Sequence, residues 1–167
     1  KLGDEFTVES QPEWSEKAKK EGTRTVKLWQ VPRTTGEFIY ELTTHLQPKN
    51  ILELGTSAGY SAIWLGAAAS TYGGHVHNID SSSMKVEMAQ KYIQKAGLAA
   101  HVSVVHSPIA DTLERPAEQW EWGTPIDMVF LDADKKNYLR FFKMLEPHLS
   151  ETAVILADDA VKIRHAM

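Results

Sequence analysis

Hydrophobic and polar positions follow two regimes along this chain. Up to about residue 30, apolar residues are sparse and scattered among charges. Pro12 suits the first turn of a helix over 13–21 that Gly22 stops, and its polarity marks a surface or lid helix with Lys17, Lys19 and Lys20 on a solvated face. Thr34 or Thr35 then caps a second helix with Phe38, Ile39 and Leu42 on one face. From residue 50 short apolar runs alternate with amphipathic stretches. Strands are predicted at 51–54, 75–80, 102–106, 126–132 and 153–158. Helices are predicted between them at 61–69, from a Ser82 or Ser83 cap to Ala96 with Gly97 closing it, at 109–119, and at 138–145.

Five strands alternating with helices predict an α/β fold, a mostly parallel sheet with helices on both faces. Right-handed crossovers give it a Rossmann-like strand order. The chain divides into residues 1–30, an N-terminal lid or surface segment, and 31–167, a cofactor-binding domain. The 167 residues, 43% hydrophobic and 24% charged, suffice for one core. They exclude a disordered tail or a disulfide scaffold, and the lack of cysteine excludes thiol catalysis and zinc–thiolate sites. Neither a membrane-length apolar run nor a signal-peptide pattern is present, so a cytoplasmic protein is expected. The net charge of −4 without a basic stripe predicts no nucleic-acid partner and no membrane partner.

In such sheets ligands sit beyond the carboxyl ends of the strands, so candidate chemistry is sought there. The first strand ends in Glu53-Leu54-Gly55-Thr56-Ser57-Ala58-Gly59. The Gly55–Gly59 spacing is wider than a pyrophosphate-binding turn. It is either a cradle for a nucleoside without phosphates or a plain strand-to-helix turn. The second strand ends at Asp80, about 20 residues on, where an acidic residue either binds a ribose diol or caps a helix. The fourth ends at Asp132 and the fifth at Asp158-Asp159. Three clustered carboxylates need a hard cation (Mg, Ca or Mn) to coexist; the alternative is caps and a solvated turn. The seven histidines lack metal-ligand spacing, and Trp120 and Trp122 suit core-edge packing.

Taken together these residues resemble a known family. Residues 51–61, Ile-Leu-Glu-Leu-Gly-Thr-Ser-Ala-Gly-Tyr-Ser, resemble the first motif of S-adenosylmethionine-dependent O-methyltransferases of the catechol and caffeoyl-CoA type. Residues 127–135, with Asn137 and Tyr138, resemble its metal-site strand, and Ala157-Asp158-Asp159 its Ala-Asp-Asn ending. The likeness runs from about Val31 to Asp159 and is nearest to a bacterial branch. It implies a class I methyltransferase fold. Glu53, Gly55, Thr56, Gly59 and Ser61 would surround the methionine part of S-adenosylmethionine, Asp80 its ribose and Ile109 its adenine, with Val31 approaching from the N-terminal side. Asp132, Asp158 and Asp159 would bind the divalent cation, with Asp132 also near the transferable methyl. Lys135, its pKa lowered beside the metal, would be the general base for a hydroxyl of a small, aromatic acceptor.

The likeness has departures. The family has Asn where Asp159 stands, and a glycine pair where this chain has Leu149-Ser150-Glu151-Thr152. Family members continue through two further strands, so C-terminal strands are expected beyond Met167. The family is often dimeric, which makes a homodimer the expected assembly. The rival readings are a metal-independent methyltransferase on another acceptor and an S-adenosylmethionine-binding protein without turnover. A nicotinamide dehydrogenase is disfavoured by the glycine spacing.

Overall fold

The structure is a computed structural model that describes residues 28–160. The helix expected over 13–21 and everything after Ala160 lie outside the described residues. Within them the order is α1 (Arg33–Leu46), β1 (Asn50–Leu54), α2 (Tyr60–Ser70), β2 (His75–Asp80), α3 (Ser83–Lys95), β3 (Val102–His106), α4 (Ile109–Leu113), β4 (Ile126–Leu131), α5 (Tyr138–Leu145) and β5 (Leu149–Ala157). The five strands form one sheet in the order β3-β2-β1-β4-β5, every pair parallel. All carboxyl ends therefore share one edge. The order reverses between β1 and β4, where successive crossovers leave toward opposite sides and open a crevice.

Strand periodicity divides the core. Ile51, Val76, Met128 and Phe130 face α1, α2 and α3, packing on Ile39, Ala62, Leu65, Ala89 and Ile93. Leu52, Leu54, Ile79, Val129 and Leu131 face the other way, onto Leu113 of α4 and Tyr138, Phe141 and Leu145 of α5. Burial on both faces explains the nearly unbroken apolar runs of β1 and β4.

The elements predicted within the described residues are all present, with differences at their ends that have physical causes. The helix expected over 109–119 stops at Leu113, and residues Ala117–Gln119 form a separate 3-10 turn. Pro116 pushes Arg115 away from helical geometry and cannot donate a backbone hydrogen bond itself. β5 begins at Leu149 rather than 153, its first residues including exposed Glu151 and Thr152, which interrupt the apolar pattern. α1 starts after Pro32, without a side-chain cap from Thr34 or Thr35. Ile39 is buried and Leu42 partly so, but Phe38 is exposed to solvent. Gly36 lies on the α2 side, where a Cβ would run into the Trp64 ring, so the two helices close on each other through a missing side chain. Ser82 caps α3 as expected, accepting from the Lys85 amide at 3.4 Å.

The amino end of the sheet carries a histidine pair. His75 and His77 lie two apart on β2 with ring centroids 4.5 Å apart. Ser103 Oγ sits 3.0 Å from His77 Nδ1 and 3.3 Å from His75 Nε2. Trp122 packs 6.3 Å from His77 and stacks on Trp120, both tryptophans being buried. Burial, followed by the neighbouring His75, pushes the His77 pKa down to about 4. The unfolded chain would bind a proton at His77 near pH 6.5 that the folded chain refuses until about pH 4. Stability therefore rises with pH across that window and is lost as pH falls through it. Urea unfolding midpoints are expected to drop between neutral pH and about pH 4.5, with His77→Gln flattening the drop. An unchanged pH profile in the variant would assign the acid sensitivity to other groups.

Candidate functional site

The four residues that leave the strands are stitched to the neighbouring strand by backbone hydrogen bonds. Gly55 N donates to Ile79 O at 3.0 Å, Asp132 N to Leu54 O at 2.9 Å, Asp158 N to Leu131 O at 2.9 Å and Ser107 N to Asp80 O at 3.0 Å. The sheet thus sets the spacing of Gly55, Asp80, Asp132 and Asp158 before any side chain acts.

The turn after β1 is built from left-handed backbone: Gly55 at φ 96°, Ser57 at 48° and Gly59 at 84°. Gly55 could not be replaced, since a Cβ there would strike the carbonyl of Asp132. Gly59 caps α2 and lies against Ala89 of α3. Asp80 spans the turn and the next helix, accepting from Ser57 N at 2.9 Å through one oxygen and from Ser82 N at 2.9 Å through the other. Both readings of Asp80 stay compatible with this geometry, because each carboxylate oxygen retains accepting capacity.

Glu53 is fully buried at the floor of the turn, on the α2 side of β1. Ser61 Oγ donates to its Oε1, while Oε2 has no partner. Burial pushes its pKa well above the carboxylate range; the Ser61 hydrogen bond opposes this, and the charges of Asp132 and Asp80 add to it. Thr56 Oγ1 and Ser57 Oγ are also buried without partners. Three unsatisfied polar atoms around one turn are costly in a native protein unless a bound molecule satisfies them. The sequence reading missed Ser57, whose left-handed backbone leaves no trace in hydrophobic pattern. An apolar cavity of about 300 Å³ shares Ala58 and Tyr60 with this turn and runs between Ile63 and Tyr92, but none of the carboxylates line it.

Across the strand-order reversal sits a charged cluster. Lys135 Nζ donates to Asp132 Oδ1 at 2.8 Å and to the Tyr138 hydroxyl at 2.8 Å, and lies 3.5 Å from Asp158 Oδ2. Tyr138 in turn donates to Leu131 O at 2.7 Å. This tyrosine fixes the lysine and was legible as Lys-x-x-Tyr, one helical turn apart. Burial raises the Asp132 pKa to about 6; Lys135 opposes that rise and Asp158 reinforces it. Burial works against the Lys135 ammonium, but hydrogen bonds to Asp132 and Tyr138 outweigh it, so its pKa is raised. That is opposite to the lowered value expected of a base. Burial likewise pushes Tyr138 up to about 12.

The structure brings Asp132 and Asp158 together at Lys135; Asp159 is exposed and at φ 55°, and no group of three metal-capable side chains occurs among the described residues. Two convergent carboxylates still fit a hard cation that keeps water or acceptor oxygens as its other ligands. Val31 is buried in the first core cluster, and Ile109, partly buried, opens α4 beside the second. No described helix is long and apolar enough to cross a membrane.

A parallel sheet reversed at β1/β4, with a glycine turn after β1 and an acidic end to β2, defines a Rossmann-like class of fold. The O-methyltransferase family model matches residues 5–163, and the chain belongs to that family. It is 36% identical over 127 residues to catechol O-methyltransferase of Niastella koreensis, covering 76% of this chain and 56% of that protein. It is 31% identical over 120 residues to caffeoyl-CoA O-methyltransferase 2 of Petunia hybrida, covering 70% and 49%. The fold matches an O-methyltransferase of Bacillus cereus solved in complex with SAH, at TM-score 0.76 and 30% identity, covering 89% of this chain and 66% of that one. The chain spans about half the length of the curated relatives it matches.

The Gly55 contact yields a test. Gly55→Ala adds a Cβ against the Asp132 carbonyl at a backbone angle that costs about 1–3 kcal/mol for a side-chain-bearing residue. A thermal midpoint several degrees lower is expected, together with weakened binding of S-adenosylhomocysteine by calorimetry. An unperturbed midpoint would mean that the β1 and β4 ends are looser than the structure has them.

Proposed function

We propose that the protein transfers a methyl group from S-adenosylmethionine to a hydroxyl of a small aromatic acceptor, with a divalent cation (Mg, Ca or Mn) assisting. One observation carries this reading. The missing side chain of Gly55 lets the Asp132 backbone close against the glycine turn, so the cradle and the Asp132–Lys135–Asp158 cluster form one site. The names of the relatives, catechol and caffeoyl-CoA O-methyltransferase, support the phenolic acceptor.

On this reading Glu53, Gly55, Thr56, Gly59 and Ser61 hold the methionine part, whose polar groups would satisfy Glu53 Oε2 and Thr56 Oγ1. Asp80 holds the ribose and Ile109 borders the adenine. Val31, its side chain turned into the core, offers its backbone from the N-terminal side. The cofactor supplies an electrophilic methyl group on a sulfonium centre. Asp132 and Asp158, with Asp159 adjoining, hold the cation. When bound there it would supply Lewis-acid assistance to a hydroxyl and positive charge beside Asp132, whose hydrogen bond helps to keep the proton on Lys135. Lys135, having first released its ammonium proton to solvent, accepts the acceptor's hydroxyl proton at Nζ, with Tyr138 keeping the amine in place. A phenol of pKa near 10 needs this help to be nucleophilic at neutral pH. Holding the two partners in line accounts for most of the remaining gain.

Catechol methylation is expected to disappear with a chelator and return with Mg²⁺. Full activity in chelator would overturn the metal-assisted reading and favour the metal-independent alternative, to which the Lys135 ammonium between Asp132 and Asp158 lends support. Lys135→Met is expected to lower kcat at least about tenfold with little change in KM. A change confined to KM would remove Lys135 from proton transfer. Binding of NAD in place of S-adenosylhomocysteine would overturn the cofactor itself.

A further inference from the structure

We infer that Glu53 stands as a neutral acid while the cradle is empty and gives up its proton when the cationic end of the cofactor binds, so that cofactor affinity is linked to pH. The inference rests on the proposed cofactor and on the geometry of one side chain. Glu53 is fully buried, Ser61 supplies its single hydrogen bond at Oε1, and Oε2 has none. A carboxylate so placed would be a buried charge without compensation. The charged groups that face it from the packed elements are Asp80 on β2 and Asp132 at the end of β4, both of its own sign. Lys135 does not compensate it, since its Nζ is engaged by Asp132, Tyr138 and Asp158. The direction of the Glu53 pKa, raised chiefly by burial, agrees with this geometry.

An amino acid-like ligand changes that balance. Its α-ammonium brings three N–H donors and a positive charge, and Oε2 is the acceptor in the floor that lacks a donor. The proton leaves Glu53 for solvent and the ammonium takes its place as the compensating charge. No covalent bond to the ligand forms or breaks. Ser61 keeps its hydrogen bond to Oε1 throughout and positions the carboxyl plane. Glu53 acts here as a positioning and charge-matching residue, not as an acid or base in the transfer.

Calorimetry tests this with S-adenosylhomocysteine, which carries the ammonium and undergoes no turnover. Titrations are run in buffers of different ionisation heat at about pH 7.5, more than one unit above the Asp132 pKa of about 6, so that Asp132 is already ionised. The expected result is net proton release on ligand binding, with affinity rising as pH rises up to the Glu53 pKa of the empty protein. Glu53→Gln keeps the shape and the Ser61 partner without a titrating proton. It is expected to bind about tenfold or more weakly with no buffer-dependent heat. As a second readout, the infrared carbonyl band of a protonated carboxyl should vanish on binding in the wild type and be missing in Glu53→Gln. Binding with neither proton release nor loss of that band overturns the inference while leaving the cofactor reading intact. Release that survives in Glu53→Gln overturns it by assigning the proton elsewhere. Absence of any binding by S-adenosylhomocysteine overturns the cofactor reading, and the inference with it.

Discussion

The arrangement depends on one close approach: the backbone of Gly55 against that of Asp132, where β1 and β4 lie side by side in a parallel sheet. Parallel pairing sends both strands out through the same edge, and the reversal of strand order directs the following crossovers apart. Any side chain at residue 55 would fill the gap between them. The amide of Asp132 donates to Leu54 O, so the tip of β4 is held by the strand that carries the glycine turn. Neither end could be repositioned alone.

The electrostatics follow from that proximity. Glu53, Asp80, Asp132 and Asp158 all emerge from strand ends into one region, and the positive charge placed within it is Lys135. Burial raises Asp132 and Glu53, Lys135 and Ser61 respectively oppose the rise, and repulsion from neighbouring carboxylates adds to it. Such a region favours cationic ligands, whether a metal ion, an ammonium or a sulfonium, over phosphates. This agrees with a glycine turn that lacks the close-set pattern of a pyrophosphate cradle.

Much of this was legible in the chain itself. The strand ends at Glu53, Asp80 and Asp132 follow from short apolar runs that stop at an acidic residue, and β2, β3 and α5 occupy the residues their patterns indicate. What escaped was set by tertiary context. Phe38 has the apolar character of its neighbours but a helical rotation that leaves it outside. The start of β5 reads as a loop because its exposed Glu151 and Thr152 interrupt the apolar run. The raised proton affinity of Lys135 depends on hydrogen bonds to Asp132 and Tyr138 that outweigh burial, and no local pattern reports that balance. The backbone at Asp159 is left-handed at a residue that is not glycine. Sequence adjacency gave no hint of it.

The reversal between β1 and β4 also partitions responsibility within the molecule. The residues proposed to grip the donor come chiefly from β1, β2 and the starts of α2 and α4, whereas those proposed to face the acceptor come from the ends of β4 and β5. Both sets draw on both core layers, because β1, β2 and β4 each turn alternate side chains to either face. Substitutions inside these strands therefore disturb both sets together, whereas substitutions in the turns that follow β4 and β5 leave the shared layers alone. A fold arranged this way is suited to diversify at its strand ends, with Gly55 fixed between the two sets.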